Sequence, residues 1–350
     1  MVKKFILKYW LFILLSTVAT VLLILFFVFR DRNTDEESQK KLIPLKKPEI
    51  NNQSSIKPQI DQLENNFPSF NENLMVYQVD DYIFNQEETI KIAQEFGFTK
   101  EPEITSDESG QIYSWSDATK NLSIYLKDGI INYGLDLLQN PELVQGEAPS
   151  IEEAEIKSKN FLERINLLTP GKINLDLKKG TYIKLDQGYF NETNKNDPQK
   201  KLTNLNFAYK INNYEIQGFN PVTVDVFLDS QFNIVNLRSK KIFQKVEELD
   251  SYPIKNKKEV ILSLKENPQI SFLKDLKNNL PSEITLEKYS LEKIKQINFN
   301  KIELIYFKNE NYQSYLQPVY LITGDALLTD VGWVQAGLFI PAIKDKYLLK

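Results

Sequence analysis

An uninterrupted apolar stretch near the N-terminus is the feature that most constrains this chain of 350 residues. Residues 9–29 form a run of 21 residues that contains no charged side chain, no Pro, no Gly and no Asn. At about 1.5 Å per residue, a helix of that length spans roughly 30 Å, the thickness of the hydrocarbon layer of a bilayer. A helix satisfies its own backbone hydrogen bonds in hydrocarbon. The sequence therefore predicts a membrane-spanning helix over residues 9–29.

The charges that flank this run set its expected orientation. The tail, residues 1–8, carries three lysines, and the opposite flank carries a similar number of basic side chains, so the positive-inside rule is nearly balanced. A short basic tail before an apolar run is typical of an export signal-anchor. We therefore expect the N-terminus in the cytoplasm and the bulk of the chain outside the cell membrane. A cytosolic domain tethered by its N-terminus is one alternative. A cleaved signal peptide with its site near Ala19 is another, although ten more apolar residues follow.

The amino-acid composition excludes several classes of chemistry. The chain has no Cys and no His, so a thiolate nucleophile, a Ser-His-Asp triad and the common zinc sites are all excluded. Without the five basic side chains and one acidic side chain of residues 1–32, the totals of 43 and 47 leave a formal charge of −8. This net negative charge argues against a basic surface that would bind nucleic acid. The side chains that remain for catalysis are carboxylates, Lys, Tyr and Ser.

Residues 30–73 have the composition of a linker. They contain four prolines and many Asn, Gln and Ser, with no aromatic residue before Phe67. Such a segment cannot bury enough apolar surface to offset its chain entropy, so we expect a disordered linker. A coil of about 40 residues has an end-to-end distance of roughly 35 Å, which would hold the folded part away from the membrane.

From Leu74 onward the pattern becomes that of a globular protein. A strand is predicted over Leu74–Val79. Asn85 with Glu88 three residues later is similar to a capping box and predicts a helix that ends at Gly97. An antiparallel meander is predicted after this helix, with strands over Ile112–Ser116, Leu122–Leu126 and Ile130–Leu135.

The same order of elements recurs after Pro149. Ser150 with Glu153 is a capping box with the standard residues, and a further helix is predicted from about Asn256. Strands are predicted over Thr181–Leu185, Leu205–Ile211, Val222–Leu228, Phe232–Leu237, Lys301–Phe307, Leu316–Thr323 and Trp333–Ile340.

The predicted fold class is therefore α+β, with an N-terminal transmembrane helix followed by helix-on-antiparallel-sheet units. We divide the globular part into a first unit over residues 74–148 and a second region over residues 149–350, which could divide again near residue 253. The repeat is one of element order and not of sequence.

Three segments resemble a known family. They are SIEEAEIKSKNFLERINLL (Ser150–Leu168), INNYEIQGFNPVTVDVFLDSQFNIVNL (Ile211–Leu237) and YLQPVYLITG (Tyr315–Gly324). With the basic N-terminal anchor and the spacer, they resemble extracytoplasmic regulatory proteins built from PepSY-type units, including the YycH and YycI group that attends a bacterial sensor kinase. The resemblance covers about half of the globular part. It implies helices on a twisted antiparallel sheet and a non-enzymatic, membrane-tethered module that modulates a partner. Residues 74–148 and the longer linker depart from that pattern.

No motif assigns a catalytic, cofactor-binding or metal-binding residue. Asp325 and Asp330 could act as general acid and base or bind a hard cation, but a polar loop that caps strand ends is the simpler interpretation. The oxygen-rich segment 191–197 lacks the residue order of a calcium loop, so we expect a surface loop. Residues 107–110 have the composition of an aspartic protease turn in the wrong order, and we discard that interpretation.

Aromatic residues in and near the predicted strands have two interpretations. The residues concerned are Trp115, Tyr306, Tyr312, Tyr315, Tyr320 and Trp333. They could line a groove for a peptide or a glycan, or they could be ordinary core residues of strands, which is the interpretation we favour. An unpaired sheet edge could also accept a strand from a partner.

The expected function follows from the anchor and the resemblance. We expect a membrane-anchored, extracytoplasmic interaction or regulatory module that contacts the bilayer through residues 9–29 and binds a protein partner in the membrane or envelope, without a cofactor. A carboxylate-dependent cell-envelope hydrolase and a structural envelope protein are the alternatives. A hydrolase of the glycosidase type requires two carboxylates that converge within about 5–10 Å in one deep pocket, whereas a binding module predicts a shallow groove with dispersed carboxylates.

Overall fold

A computed structural model describes the chain from residue 42 onward. The described residues are 42–50, 53–54, 57–108, 110–167, 171–186, 189–218, 222–266, 269–274, 293–309 and 313–349. The N-terminal tail and the predicted transmembrane helix lie outside these residues. Pro44–Lys350 form one compact unit. Within the described ranges, none of the helices combines the length and the apolar character needed to cross a bilayer.

The fold is α+β, as predicted, and most of it is sheet. The α-helices of the described residues are α1 (Asp61–Asn65), α2 (Gln86–Glu95), α3 (Ile151–Arg164) and α4 (Lys257–Glu266), with short 3-10 helices at Pro141–Leu143 and Asp345–Tyr347. Each of the three longer helices begins where a side chain accepts a hydrogen bond from the backbone N–H three residues on: Asn85 from Glu88 (2.9 Å), Ser150 from Glu153 (3.2 Å) and Asn256 from Glu259 (3.0 Å). These caps satisfy N–H groups that lack a partner inside the helix, and they confirm the predicted helix starts.

The strands account for most of the remaining described residues. They are β1 (Leu45–Lys46), β2 (Gln53–Ser54), β3 (Asn73–Asp81), β4 (Glu103–Asp107), β5 (Gly110–Ser116), β6 (Lys120–Tyr125), β7 (Ile130–Leu135), β8 (Ile173–Asp186), β9 (Tyr189–Thr193), β10 (Lys200–Ile211), β11 (Tyr214–Gln217), β12 (Thr223–Leu228), β13 (Ile234–Lys240), β14 (Phe243–Pro253), β15 (Gln269–Ile270), β16 (Phe272–Lys274), β17 (Ile294–Phe307), β18 (Tyr315–Leu328), β19 (Gly332–Pro341) and β20 (Leu348–Leu349). The predicted strands are present, and several extend further than the sequence pattern indicates.

The first sheet has the strand order β4-β5-β6-β7-β13-β12-β10-β8-β9, and every neighbouring pair is antiparallel. Helices α2 and α3 contribute buried side chains to the same hydrophobic core as this sheet. The ring of Phe96, just after α2, stacks on Tyr133 of β7 at 4.2 Å and meets Phe161 of α3 edge-on at 5.2 Å. Aromatic packing therefore joins the two helices to the sheet.

The second sheet has the order β16-β19-β18-β17, with β3 paired to the start of β18 and β14 paired to β3. Alternate side chains of β18 enter two different cores. Tyr320 and Ile322 share a core with helices α1 and α4, whereas Val319 and Leu321 pack with Phe339 in the other. Because successive side chains of a strand point to opposite faces, both faces of this sheet are covered.

A cluster of tyrosines lies where the two sheets meet. Strand β11 joins the two into one hydrogen-bonded sheet of 16 strands, since it is antiparallel to β10 and parallel to β17. The ring of Tyr306 lies 5.5 Å from Tyr77 and 6.1 Å from Tyr214. The Tyr306 hydroxyl donates to the carbonyl of Met75 (2.6 Å), and Asn212 donates to the Tyr77 hydroxyl (2.5 Å). These bonds satisfy buried phenol groups and fix β3 against both sheets.

The folded unit begins earlier than the sequence predicts. A disordered linker is expected over residues 30–73, yet Leu45 is fully buried and pairs with Leu348, and Leu63 of α1 is 1% exposed. The apolar residues of this stretch are few, and Leu42, Ile43 and Leu45 form a short run that is interrupted by Pro44 and followed by charged residues. Those that are buried are covered by distant parts of the chain instead of by one another, and local composition carries no sign of that. The stretch between the predicted transmembrane helix and the compact unit is reduced to residues 30–43.

Strand pairing crosses the predicted boundary at Pro149. Strand β7 lies before it and β13 lies after it, and the two strands pair from Gly134 opposite Asn236 to Ile130 opposite Lys240. Both predicted regions therefore contribute to the first sheet.

Substitution of Gly324 should measure how tightly β18 is held by its neighbours. A Cβ at Gly324 would collide with the carbonyl oxygen of Asn298, a backbone atom of β17 that cannot move without disturbing the sheet. We expect Gly324→Ala to lower the free energy of unfolding by about 2–3 kcal/mol. Urea denaturation of the full chain followed by circular dichroism measures the change.

Gly134→Ala is the matched control, because Gly134 also lies inside a strand but its Cβ would meet only side-chain atoms, the nearest being Asn236 Nδ2 at 3.2 Å. We expect a change below about 1 kcal/mol there. Equal losses in the two variants would contradict the steric argument.

Candidate functional site

The two aspartates considered in the sequence do not form a site. Asp325 lies inside β18, opposite Asn298 of β17 and Gln335 of β19. Asp330 lies in the turn that follows and forms an ion pair with Lys293. The prediction of a polar loop is therefore wrong for the first half of this segment, because β18 continues to Leu328 with buried and half-buried residues alternating from Gly324 onward.

The other polar segments lie at strand ends and turns. Residues 191–193 belong to β9, where Lys179 donates to the Glu192 carboxylate (3.0 Å), so the surface loop is present only after Thr193. In that turn Thr193 Oγ1 donates to Asp197, Asn196 N to Asn194 Oδ1 (3.0 Å) and Gln199 N to Asp197 Oδ1 (2.8 Å). The Thr193 hydroxyl, followed by the Gln199 backbone, lowers the pKa of Asp197. Asp107 ends β4 and pairs with Gly110, the first residue of β5. No cluster of carboxylates in the described residues could hold a metal ion.

The aromatic residues divide between core and surface. Three of them are almost fully buried: Trp115, Tyr306 and Tyr320. Trp333 is 47% exposed, Tyr315 is half-buried, and Tyr312 lies outside the described residues. The core interpretation is confirmed for the three buried residues, and one of them, Tyr320, also forms part of a cleft.

An open cleft of about 670 Å³ is the best candidate site, and we call it the aromatic–lysine cleft. It lies between the segment 67–73, which leads from α1 to β3, and the start of α4, and Tyr320 of β18 contributes to its lining. The backbone of Ile254 donates to the carbonyl of Glu72 (2.9 Å), which fixes the two sides relative to each other. The cleft is therefore held by backbone as well as side-chain contacts.

Three aromatic rings form the floor of the cleft. Phe67 and Phe70 are half-buried and meet edge-on at 5.9 Å, and Phe70 lies 5.5 Å from the ring of Tyr320. The Tyr320 hydroxyl donates to the carbonyl of Lys255 at 2.5 Å, and burial raises the pKa of this phenol, so it remains a donor at neutral pH. The two phenylalanines keep part of their rings available to a ligand.

Lysines form the wall of the cleft. Lys255 is 6% exposed, and its ammonium group contacts the carboxylate of Asp345 at 2.8 Å. Lys344 is half-buried and lies 3.7 Å from Glu259, and Lys257 is exposed at the first turn of α4. The cleft therefore has one fixed cation and two more adaptable ones.

Lysines outnumber carboxylates in the lining of the cleft, although Lys255 and Lys344 are paired with Asp345 and Glu259 outside it. Glu72 is the one carboxylate among its described lining residues, against three lysines. Such a surface suits a ligand that carries negative charge together with apolar or aromatic groups, because the lysines attract the charge and the rings offer apolar contact. It does not bring two carboxylates together, as hydrolysis of the glycosidase type requires.

A second cleft, of about 590 Å³, lies beside helix α2 and the end of α3 and contains a partly buried network around Glu88. The Glu88 carboxylate accepts hydrogen bonds from the Tyr82 hydroxyl, from Asn166 Nδ2 (3.2 Å) and from Lys241 Nζ (3.5 Å). The Lys241 ammonium also lies 3.9 Å from the centre of the Tyr82 ring, a cation–π contact. Burial lowers the pKa of Lys241, and the negative charge of Glu88 opposes this effect.

The aromatic–lysine cleft contains residues that sequence reasoning missed. Phe67, Phe70 and Lys255 escape notice because the segment before Leu74 has the composition of a linker and a lone lysine is not distinctive. A signal is present for the phenylalanines, since they are the first aromatic residues after a long polar stretch and are three positions apart. Lys344 reaches the cleft from the C-terminal segment, and its local sequence carries no comparable signal.

Comparisons with known proteins give no family. No protein-family model matches the chain, and no curated protein matches it. Among solved structures, the chain is similar to an uncharacterized protein from Eubacterium rectale, with 16% sequence identity and a TM-score of 0.46 over 77% of this chain and 84% of that chain. A similarity at this level carries no argument about function.

Removal of the Glu88 carboxylate should test whether the network around Glu88 stabilises the fold. Glu88→Gln leaves the Lys241 side chain, which is 3% exposed, without its counter-charge. We expect the free energy of unfolding to fall by about 3–5 kcal/mol, and the double variant Glu88→Gln/Lys241→Met to recover part of the loss. Glu87→Gln, which breaks the exposed pair with Lys91, is the control and should have little effect.

The same network predicts a pH dependence. Because burial lowers the pKa of Lys241 below its ordinary value of 10.5, the unfolded chain binds more protons than the folded chain between the two pKa values. The contribution of Lys241 therefore makes the free energy of unfolding rise with pH through that window, and the rise ends near pH 10.5. Comparing the full chain with Lys241→Met isolates this slope. An identical pH profile for both proteins would contradict the prediction.

Proposed function

We propose that the chain is a single-pass, membrane-anchored interaction or regulatory module. Its N-terminus lies in the cytoplasm, its folded unit lies outside, and it binds a protein partner of the membrane or envelope through the aromatic–lysine cleft. The segment of the partner that enters the cleft is acidic and carries aromatic or other apolar side chains.

The chemistry of the cleft is the observation that carries this proposal. A partly exposed pair of phenylalanines lies beside three lysines in a chain whose part beyond residue 32 has a formal charge of −8. Lys255 and Lys344 are paired with Asp345 and Glu259, so Lys257 is the lysine of the cleft that has no ion pair among the described residues and can attract an acidic partner. Aromatic anchors next to charged groups are typical of the residues that dominate protein–protein affinity.

The cleft around Glu88 is the feature that favours the alternative, a carboxylate-dependent hydrolase. It contains three glutamates, but each one is paired with a cation: Glu87 with Lys91 (2.7 Å), Glu88 with Lys241 (3.5 Å) and Glu95 with Arg164 (3.1 Å). A nearby cation favours the ionised form of a carboxyl group, and Lys91 lowers the pKa of Glu87 accordingly. A general acid needs a raised pKa, so this arrangement suits structural locking better than hydrolysis.

The arrangement of helices supports a likeness to PepSY-type units. Helices α2 and α3 share a core with the first sheet, and α1 and α4 share a core with the second sheet. Each sheet, with the two helices that share its core, thus forms one half of the fold. In this proposal the two halves are the repeated units, with limits that differ from the division at residue 149.

An acidic peptide should bind the cleft. The probe is a fluorescein-labelled peptide of alternating Glu and Tyr, added to the full chain in nanodiscs of zwitterionic lipid, with fluorescence anisotropy as the readout. We expect Phe70→Ala and Lys344→Gln each to weaken binding by about tenfold, because each removes one anchor of the ligand. A peptide of alternating Lys and Tyr should not bind.

Matched controls separate the cleft from general electrostatics. Trp333→Ala removes another exposed aromatic residue, and Lys178→Gln removes an exposed lysine of β8. Both variants should bind the acidic peptide as tightly as the original chain does. Binding that all four variants weaken equally, or that none weakens, would overturn the assignment of the cleft.

The orientation of the anchor has its own test. Protease added to intact cells should remove the folded unit, whereas inside-out vesicles should protect it, because the residues beyond the anchor lie outside the cytoplasm in this proposal. Alkaline carbonate should leave the full chain in the membrane pellet. Protection in intact cells together with digestion in inside-out vesicles would overturn the topology.

A further inference from the structure

The exposed side of α4 combines charge with apolar surface. Lys258, Leu262 and Lys265 follow one another at intervals of four and three positions, so they lie on one face of the helix. All three are exposed, and Leu262 is 50% exposed between the two lysines. The opposite side of the helix is buried in the core of the second sheet. We call these three residues, with Lys257, the α4 lysine face.

The charges of this face are only partly neutralised, by Glu64 of α1 and by the nearby carboxylates of α4, the exposed Glu266 and the half-buried Glu259. Lys265 pairs with Glu64 of α1 at 2.5 Å. Across the described part of the chain, no ion pair involves Lys257 or Lys258. An apolar groove of about 570 Å³ lies alongside, lined in part by Ile261 and Leu262. Basic side chains around an exposed leucine are the pattern of helices that lie on a membrane surface.

The α4 lysine face lies near the point where the compact unit begins. That unit starts at Pro44, and the next residue, Leu45, pairs with Leu348. Leu348 is four residues from Lys344, at most about 14 Å along an extended chain. Lys344 in turn contacts Glu259 in the first turn of α4 (3.7 Å). The start of α4 is therefore connected to the first residues of the compact unit by a short chain of contacts.

The number of residues before the compact unit brings this face within reach of the bilayer. The predicted transmembrane helix ends at residue 29, and the compact unit begins at residue 44, so residues 30–43 separate them. A coil of 14 residues has an end-to-end distance of about 20 Å, and a fully extended one reaches about 50 Å. Tethering at that distance gives the face a high effective concentration relative to the headgroups, so weak individual contacts add up to binding.

We propose that the α4 lysine face binds the anionic phospholipid headgroups of the bilayer in which the chain is anchored. The lysines attract the phosphate groups, and Leu262 enters the boundary between headgroups and acyl chains. The aromatic–lysine cleft shares Lys257 with this face. Docking therefore holds the cleft beside the bilayer, where it meets the membrane-proximal segment of a partner. The inference rests on the proposed anchor but not on the ligand of the cleft.

The absence of Cys from the sequence permits a direct test with a single probe. The full chain with Leu262→Cys carries an environment-sensitive NBD label and is placed in nanodiscs of phosphatidylcholine, with or without one third phosphatidylglycerol. We expect a blue shift and about a twofold rise in emission with the anionic lipid, reversed by high salt because the attraction is electrostatic. The double variant Lys258→Gln/Lys265→Gln should abolish the response.

Two controls make the test specific. Lys178→Gln/Lys179→Gln removes the same charge from exposed positions of β8 and should leave the response unchanged. A label at Tyr189→Cys, 67% exposed on β9, should not respond to anionic lipid. Equal emission in both lipids, or a lipid response that survives Lys258→Gln/Lys265→Gln, would overturn the inference. A response to the acidic peptide in place of the lipid would assign the face to a protein, which also overturns it.

Failure of the anchor gives a different result. A chain that does not enter nanodiscs of either composition and is extracted by alkaline carbonate would overturn the anchor, and with it the tether on which this inference depends. If the chain is anchored but the emission of its NBD label does not change with phosphatidylglycerol, the docking surface alone is overturned.

Discussion

Strand β18 is the element on which the rest of the structure depends, because it supplies side chains to two hydrophobic cores at once. Tyr320 and Ile322 enter the core that includes α1 and α4, and Val319 and Leu321 enter the opposite one. The strand pairs with β17 and β19 along most of its length and with β3 at its start. Since almost every residue of β18 is buried, a shift of its register by one position would exchange the contents of both cores. The fixed register of β18 also fixes one side of the candidate cleft, because Tyr320 forms part of its floor.

Buried lysines paired with carboxylates fix the places where elements meet. Lys241 pairs with Glu88 at the start of α2, and Lys308 pairs with Asp81 (3.0 Å) between the ends of β17 and β3. Burial lowers the pKa of both lysines, and their carboxylate partners oppose that shift. The desolvation of such a pair offsets much of its attraction, so its main effect is to specify one arrangement and not to add large stability. With only four arginines in the chain, lysine takes this role.

Local chemistry explains which parts of the fold are predictable from sequence. The starts of α2 and α3 are encoded by Asn85 and Ser150 with acidic residues three positions later, and the strands of the meander by alternation between turns. The burial of Leu45 depends on surfaces supplied by residues hundreds of positions away, so no window of sequence contains the cause. The same reason hides the cleft, because its rings come from residues 67–70 and its lysines from distant segments.

The early start of the folded unit changes what the proposed anchor would do. A linker of about 40 residues would let the folded part sample a large volume above the membrane, and no face would be favoured. In the proposed topology, residues 30–43 alone separate the anchor from the compact unit that begins at Pro44, so the surfaces near this entry are the ones that the proposal places beside the bilayer. Leu45 and Leu348 place that entry near Lys344 and the start of α4. In that proposal, the cleft at this end binds a partner segment that also emerges from the membrane.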